Sequence, residues 1–353
     1  MVHQTTGNSN LSDAKKIKND EFYTQYHDIE KEINAYLDYN SDIFKDKIIL
    51  LPCDDPEWSN FTMYFAENFE RFGLKKLIST SYAPVRIDIE HKPSKFEIDN
   101  PNYDSVKSIN NGKVFTLTRD VTGNGRIDYH DLEWTYLKGD GDFRSREVIE
   151  LRNEADIIIT NPPFSLFREF LAWIEESDKN FLILGNMNAI TYKEVFPLIK
   201  NNDIWLGVNN GAKEYNQPDG TTAKMGNTIW FTNMEHSRRH DPLQLMTMDE
   251  NIRYSKHLFI REAGYPTYKD YDAIEVAFTN SIPSDYEGIM GVPISFLNVH
   301  NPEQYKILDV CEPAISNEQL FKYSKFKMYT SRQVVVDGIP CQRRYHRLLI
   351  KKI

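Results

Sequence analysis

The sequence predicts an α/β protein, with a mostly parallel, doubly wound sheet followed by a smaller mixed region. Three observations carry that expectation. Short apolar runs alternate with amphipathic stretches of about 10–15 residues, which is the rhythm of βαβ units. The rhythm stops near residue 234, beyond which Pro242, Pro266, Pro283, Pro293 and Pro302 divide the chain into short pieces. With 353 residues and 40% hydrophobic content, the chain also has enough apolar side chain to bury a sizeable core.

Residues 1–18 are polar, and disorder is expected there. "KIILLP" (47–52) is short, apolar and closed by a proline that cannot donate to a sheet ladder, so it reads as a buried strand. "SNFTMYFAENFERF" (59–72) has helical amphipathic spacing, and "KKLISTSY" (75–82) gives a second strand. A less regular stretch runs to about residue 145, within which "GKVFTLTR" (112–119) alternates like a strand. The alternation then resumes with "SREVIELRNE" (145–154) as helix, "ADIIIT" (155–160) as strand, "FREFLAWIEES" (167–177) as helix and "NFLILG" (180–185) as strand. "YKEVFPLIK" (192–200) follows as helix, "DIWLGV" (203–208) as strand and "GNTIWFTN" (226–233) as a further strand.

Several classes of protein are disfavoured. No apolar stretch approaches the roughly 18–20 residues that cross a bilayer, and the N-terminus lacks an apolar signal core, so neither a membrane nor a secreted protein is expected. Cys53, Cys311 and Cys341 lie far apart without CxxC spacing, which fits a reducing cytoplasm better than a disulfide frame or a zinc site. The nine histidines are scattered and no HExxH occurs, so no metal is expected in catalysis. The formal charge of −10 opposes a nucleic-acid partner, but its distribution is uneven. From Lys322 to Ile353 nine Lys or Arg face one acid, a local +8 that leaves −18 on the rest. That asymmetry suits an acidic catalytic body with a basic face at one end, or alternatively a basic tail that stays solvated.

The stretch that points to chemistry is "ITNPPFSLF" (159–167), where Asn161, Pro162, Pro163 and Phe164 follow the isoleucine run. In an open α/β sheet the carboxyl ends of the strands are where ligands bind. The Asn161 side-chain oxygen and the Pro162 carbonyl are both acceptors, and proline's fixed φ holds its carbonyl in a set direction. Two such acceptors suit an exocyclic NH₂, whose lone pair is otherwise delocalised into its ring. Gripping its hydrogens favours a more tetrahedral nitrogen aimed at an electrophile. Phe164 supplies a face on which an extruded base stacks, worth about 1–3 kcal/mol. A Pro-Pro turn into a helix, with Phe164 in the core, is the structural alternative.

Other stretches divide the same way. Pro52, Cys53, Asp54 and Asp55 follow the first strand, where a nucleotide-like ligand binds; the two acids either hold an amine or ribose hydroxyls or cap the next helix. In "GDGDFRS" (139–145), Asp142 is an acceptor for a ring amino group and Phe143 an apolar cover, or the stretch is a turn with a helix cap. "DVTGNGRIDYHD" (120–131) has calcium-loop spacing, but a strand-like stretch precedes it and Asp131 stands where the bidentate Glu belongs, which favours a Gly-containing hairpin turn.

Together "DEFYTQY.DIE", "CDDP..SNF..YFA.NF...GLKKLI", "GDGDFRS", "DI..TNPPFSLFRE", "ITYKEVF.LIK", "IWLGV" and "GVPI.FL...NPEQ" resemble the EcoRI-type DNA adenine-N6 methyltransferases from about residue 18 to 310. The resemblance implies a Rossmann-like, S-adenosylmethionine-dependent catalytic domain over 19–233 and a DNA target-recognition region over 234–353. It implies methyl transfer to N6 of an adenine flipped out of double-stranded DNA, within a restriction-modification or anti-restriction system, with GAATTC as the first site to test. It places Phe22, Tyr23 and Thr24 at the methionine part of the cofactor, Pro52 to Asp55 at the strand-one cofactor motif, and Asp142 and Phe143 at the adenine ring. It places Asn161 to Phe164 at the catalytic motif. Trp230 or Phe231 becomes a second base-stacking candidate, with core packing as the alternative for either. "PCDDP" stands where methyltransferases commonly carry a glycine-rich loop, and "KKLISTSY" lacks the acid that often ends their second strand. The basic C-terminal segment, through Arg332, Arg343 and Arg344, is expected on DNA phosphates. A monomer suits methylation of one strand at a time, and a restriction endonuclease acting separately on the same site is a further expected counterpart. Methylation of cytosine N4, RNA adenine or a glutamine amide draws on the same grip, and an inactive DNA-binding chain is a third reading.

Overall fold

A computed structural model describes residues 23–57, 59–83, 98, 100–216, 221–321 and 330–353. The expected disorder of 1–18, the cofactor candidate Phe22 and the basic residues Lys322, Lys325 and Lys327 lie outside the described residues. The chain divides into two compact units, the first holding the described residues up to Met187 with Leu206–His236, the second Asn188–Trp205 with Ser237–Ile353.

The first unit is built on a 10-stranded sheet. Its strands are β1 (Tyr23–Thr24), β2 (Ile48–Leu51), β3 (Lys76–Ser81), β4 (Lys113–Leu117), β5 (Glu133–Tyr136), β6 (Ile157–Thr160), β7 (Asn180–Asn186), β8 (Trp205–Leu206), β9 (Gly211–Asn216) and β10 (Thr222–Thr232). They lie in the order β1-β9-β10-β7-β6-β2-β3-β4-β5, with two-residue β8 off this path. Only β7, β6, β2 and β3 are mutually parallel. β4 and β5 extend one side antiparallel, and β10, β9 and β1 the other, so the sheet is mixed rather than mostly parallel.

The cause is visible in the residues. "IILL" of β2 and the isoleucines of β6 are buried throughout, as strands covered on both faces must be. β4 alternates between buried and half-buried positions, the mark of an antiparallel strand with one wetter face. The helices follow the apolar periodicity: α1 (Tyr26–Tyr39) buries Ile29, Ile33 and Tyr36, and α2 (Asn60–Glu67) starts at Ser59, whose Oγ accepts from Phe61 N. The expected helix 59–72 breaks at Asn68, and the short α3 (Phe69–Phe72) completes it before Gly73 closes it at φ 64°. α4 (Arg146–Glu154) is capped by Ser145, and α5 (Phe167–Glu175) buries Phe167, Phe170, Leu171, Trp173 and Ile174.

In the second unit α6 (Phe196–Asn201) begins four residues later than the spacing suggests, because Pro197 fits only the first turn of a helix. One sheet runs β11 (Ala273–Glu275), β12 (Ile289–Pro293), β17 (Arg347–Lys352) and β13 (Tyr305–Cys311). The other runs β14 (Ala314–Ser316), β16 (Ile339–Arg344) and β15 (Thr330–Val336). In its described residues the basic C-terminus is therefore not a solvated tail: β17 is an interior strand, with Leu348, Leu349 and Ile350 in the core.

Candidate active site

Parallel pairing of β2 with β6 (Ile49 opposite Ile157, Leu50 opposite Ile158) brings the turn at 52–55 and the loop at 161–164 out side by side. The turn is locked onto β3: Thr80 Oγ1 donates to Pro52 O at 2.8 Å, and Asp54 N donates to Thr80 O at 3.1 Å. Asp54 itself is buried, and its carboxylate joins three segments. Ser59 Oγ donates to Oδ1 at 2.6 Å and Thr160 Oγ1 donates to Oδ2 at 2.5 Å, while the Thr62 and Ser79 hydroxyls donate to its carbonyl. Burial pushes the Asp54 carboxyl up to about 7 against the pull of the two hydroxyls. Asp55, half-buried, accepts from Glu57 N at 2.9 Å and has turned toward the start of the next helix.

Immediately after Thr160 come Asn161, half-buried, and Pro162, buried. Pro163 O accepts from Leu166 N at 2.9 Å, which bends the chain into a short 3₁₀ turn, Phe164–Leu166, ahead of α5. Phe164 is half-buried and meets the ring of Tyr215 edge-on, 6.5 Å between centroids at 89°. Tyr215 pairs with Thr24 in the β1–β9 ladder, and Asn60 Nδ2 donates to Thr24 O at 2.7 Å. The N-terminal segment, the 52–55 turn and the 161–164 loop thus converge. Thr24 is 2% exposed, and among the described residues its Oγ1 has no hydrogen-bond partner, so a donor or acceptor is owed at that position.

The 139–145 loop lies against the end of β3. Ala83 N donates to Asp140 O at 2.7 Å and Gly112 N to Gly139 O at 2.9 Å. Gly141, at φ +86°, approaches the Ser81 carbonyl so closely that any Cβ would collide with it. Tyr82, half exposed, ends the strand where an acid often stands.

Not every expected residue faces this edge. Phe143 is buried against Phe170 and Trp173 (5.0 and 5.7 Å between centroids), so its apolar surface serves the core. Asp142 is forked onto Arg144, Nε at 2.9 Å and Nη2 at 2.6 Å, which holds its carboxyl below the usual range. Trp230 and Phe231 are fully buried, packed on Phe61 and Phe167, so neither presents a face to a base. Arg344 is 3% exposed and, with Arg347, is bound to the buried Glu275, and the half-buried Arg343 is paired with Asp270 at 2.8 Å; both expected DNA contacts are engaged in ion pairs within the chain, only the first of them buried. Arg332 is exposed.

The 120–131 loop closes on itself. The Asp120 carboxylate accepts from the backbone N–H groups of Gly123 and Gly125, and Asp131 from Val121, Thr122 and Asp128, so the acids that would ligate calcium satisfy the loop's own amides. Ser59, Tyr82, Thr160 and Tyr215 were not singled out from the sequence. Thr160 had a readable signal, a hydroxyl ending an otherwise apolar strand, whereas Tyr215 lies on a strand with no periodic pattern.

Comparison with known proteins places this arrangement in context. A family model described as adenine-specific methyltransferase EcoRI matches residues 10–353. The chain is 42% identical over 319 residues to the type II methyltransferase M.EcoRI of Escherichia coli, covering 85% of this chain and 89% of that protein. It is 31% identical to the type II methyltransferase M.MpnI of Mycoplasma pneumoniae and 32% to M.MgeORF184P of Mycoplasma genitalium, each over 96% of this chain and 97% of the relative. No solved structure matches.

Proposed function

Because the chain belongs to the EcoRI family of adenine-specific methyltransferases, we propose that the edge formed by the 52–55 turn and the 161–164 loop is its active site. The protein is a DNA adenine methyltransferase that uses S-adenosylmethionine. Bound there, the cofactor supplies an electrophilic methyl group on a sulfonium. The residues present fit it: Thr24 Oγ1 is a buried hydroxyl with no partner among the described residues, the half-buried Asp55 carboxylate has acceptor capacity beyond its bond from Glu57 N, and Tyr82 offers an aromatic surface. Asp142 approaches a ligand only by sharing its carboxylate with Arg144.

On the substrate side, Asn161 Oδ1 and the Pro162 carbonyl accept the two amino hydrogens of an extruded adenine. That grip stabilises the positive charge that develops on nitrogen during attack, so no side-chain base is required beforehand; the methylated nitrogen then gives up one of its two protons to solvent, leaving the neutral amine. Phe164 stacks the base, held by the edge of Tyr215. The first unit carries the chemistry in a Rossmann-like catalytic domain, and the second carries target recognition. The protein acts as a cytoplasmic monomer on one strand at a time, separately from any restriction endonuclease for the same site.

The observation that supports this reading most is the direct tie between the two loops through Asp54 and Thr160. Incubating the protein with methyl-labelled cofactor and duplexes that include GAATTC, then digesting to nucleosides, tests it. N6-methyladenine is expected. N4-methylcytosine would favour the other planar amine, and no label in any duplex would overturn the reading.

A further inference from the structure

We infer that Asp54 is a positioning residue that fixes the catalytic loop relative to the cofactor turn by bridging Ser59 and Thr160. The inference deepens the reading above and rests on it. An in-line methyl transfer needs both reactants held in one geometry, and misplacement by about 1 Å costs on the order of 10²-fold in rate. Asp54 is the node at which such placement is set. Its main chain is pinned to β3 through Thr80 and Ser79 and to α2 through Thr62. Its side chain spans from the α2 cap, Ser59, to Thr160, one residue before Asn161.

The chemistry of the node excludes an ordinary ion pair. All the hydrogen-bonding partners described for Asp54 are hydroxyls or backbone groups, and no cation is among them. A buried carboxyl is costly to keep without a counter-charge, and a sheet end needing only packing would be served by an apolar residue. What the carboxyl adds is two directional acceptors, one for each segment. Because Ser59 also caps α2, and Asn60 beside it holds Thr24, the same group orients the N-terminal segment.

The test uses the full chain and four variants: Thr160→Val, Thr160→Ser, Asp54→Asn and the double variant Asp54→Asn/Thr160→Val. Each is checked by circular dichroism at the assay temperature. Cofactor dissociation constants and single-turnover methylation rates at saturating cofactor and duplex are then compared with wild type. Thr160→Val, which keeps shape but loses the hydroxyl, is expected to slow transfer by about tenfold or more with cofactor affinity within about threefold. Thr160→Ser, which restores the hydroxyl, should recover to within about threefold, and the double variant should be no slower than Asp54→Asn alone. If folded Thr160→Val and Asp54→Asn transfer methyl at wild-type rates, or if their defect vanishes once cofactor saturates, the inference is overturned. Should Thr160→Val not fold, Asp54→Asn decides by the same two criteria. A wild-type protein that labels no duplex would instead remove the functional reading itself, and with it this inference.

Discussion

On the proposed reading, deleting the Asn161 carboxamide removes one of the two acceptors offered to the amino group, and Asn161→Ala leaves the neighbouring prolines to shape the loop. Loss of a single preorganised stabilising group of this kind costs about 10²–10³-fold in rate. Single-turnover methylation is expected to fall by at least about 100-fold, with duplex affinity little changed; a rate within tenfold of wild type would show that Asn161 does not grip the nitrogen. Asp54 makes a second prediction at the same scale. Its carboxyl titrates near 3.8 when unfolded and at about 7 when folded, so between those values the folded chain holds more protons than the unfolded one. Its contribution to stability therefore falls as pH rises from about 4 to about 7 and is flat above, a change of roughly 4 kcal/mol at most. Asp54→Asn removes that slope. Denaturant titrations of both proteins across this range should give a difference that moves in the variant's favour with rising pH.

Among elements, β11 and the β16–β17 turn show how an unpromising residue can govern an element's stability. Glu275 on β11 is fully buried and satisfied by Arg344, Arg347 and the Tyr268 hydroxyl at 2.5 Å. The two guanidiniums hold it ionised despite burial. Glu275→Gln leaves two buried cations without their counter-charge, a loss of about 3–5 kcal/mol, which an unfolding midpoint lower by several degrees would register. This ion cluster also explains what was legible in the sequence and what was not. β2, β6 and β7 are readable because their apolar runs are buried, β3 from its short Leu77–Ile78 core, and α4 and α5 because their faces repeat. The candidate site is legible as Asn161 and its prolines ending β6. Charge counting assigns Arg343 and Arg344 to DNA phosphates but cannot see that each also has an acidic partner 69 or more residues away in the chain. For Trp230 the sequence leaves base stacking and core packing both open, and for Phe143 a ligand cover or a turn, since a ring that stacks a base and a ring that fills a core have one composition. The antiparallel β4, β5, β9 and β10 escaped a mostly parallel plan because pairing direction depends on where each strand lands in the sheet.

For the whole molecule, a net charge of −10 sets a limit on how duplex DNA is held, and the ion pairing of the second unit tightens it. Each phosphate neutralised by a free cation contributes about 0.9 to the slope of log affinity against log salt. Of the basic residues near the C-terminus, Arg344 and Arg347 are committed to Glu275 and Arg343 to Asp270, while Lys352 donates to Ser284 O at 2.8 Å. Among the described residues, Arg332 on β15 and Lys351 on β17 are exposed and outside these pairs, and Arg332 is the one expected on a phosphate. Arg332→Ala should therefore lower the salt slope by about one, weakening binding to all sequences alike. Arg344→Ala should lower stability and leave the slope unchanged. Equilibrium binding of one duplex between about 50 and 200 mM salt separates the two. An Arg344→Ala slope reduced as much as that of Arg332→Ala would mean that the Glu275 cluster opens on DNA, and that the buried arginine is held in reserve for the backbone.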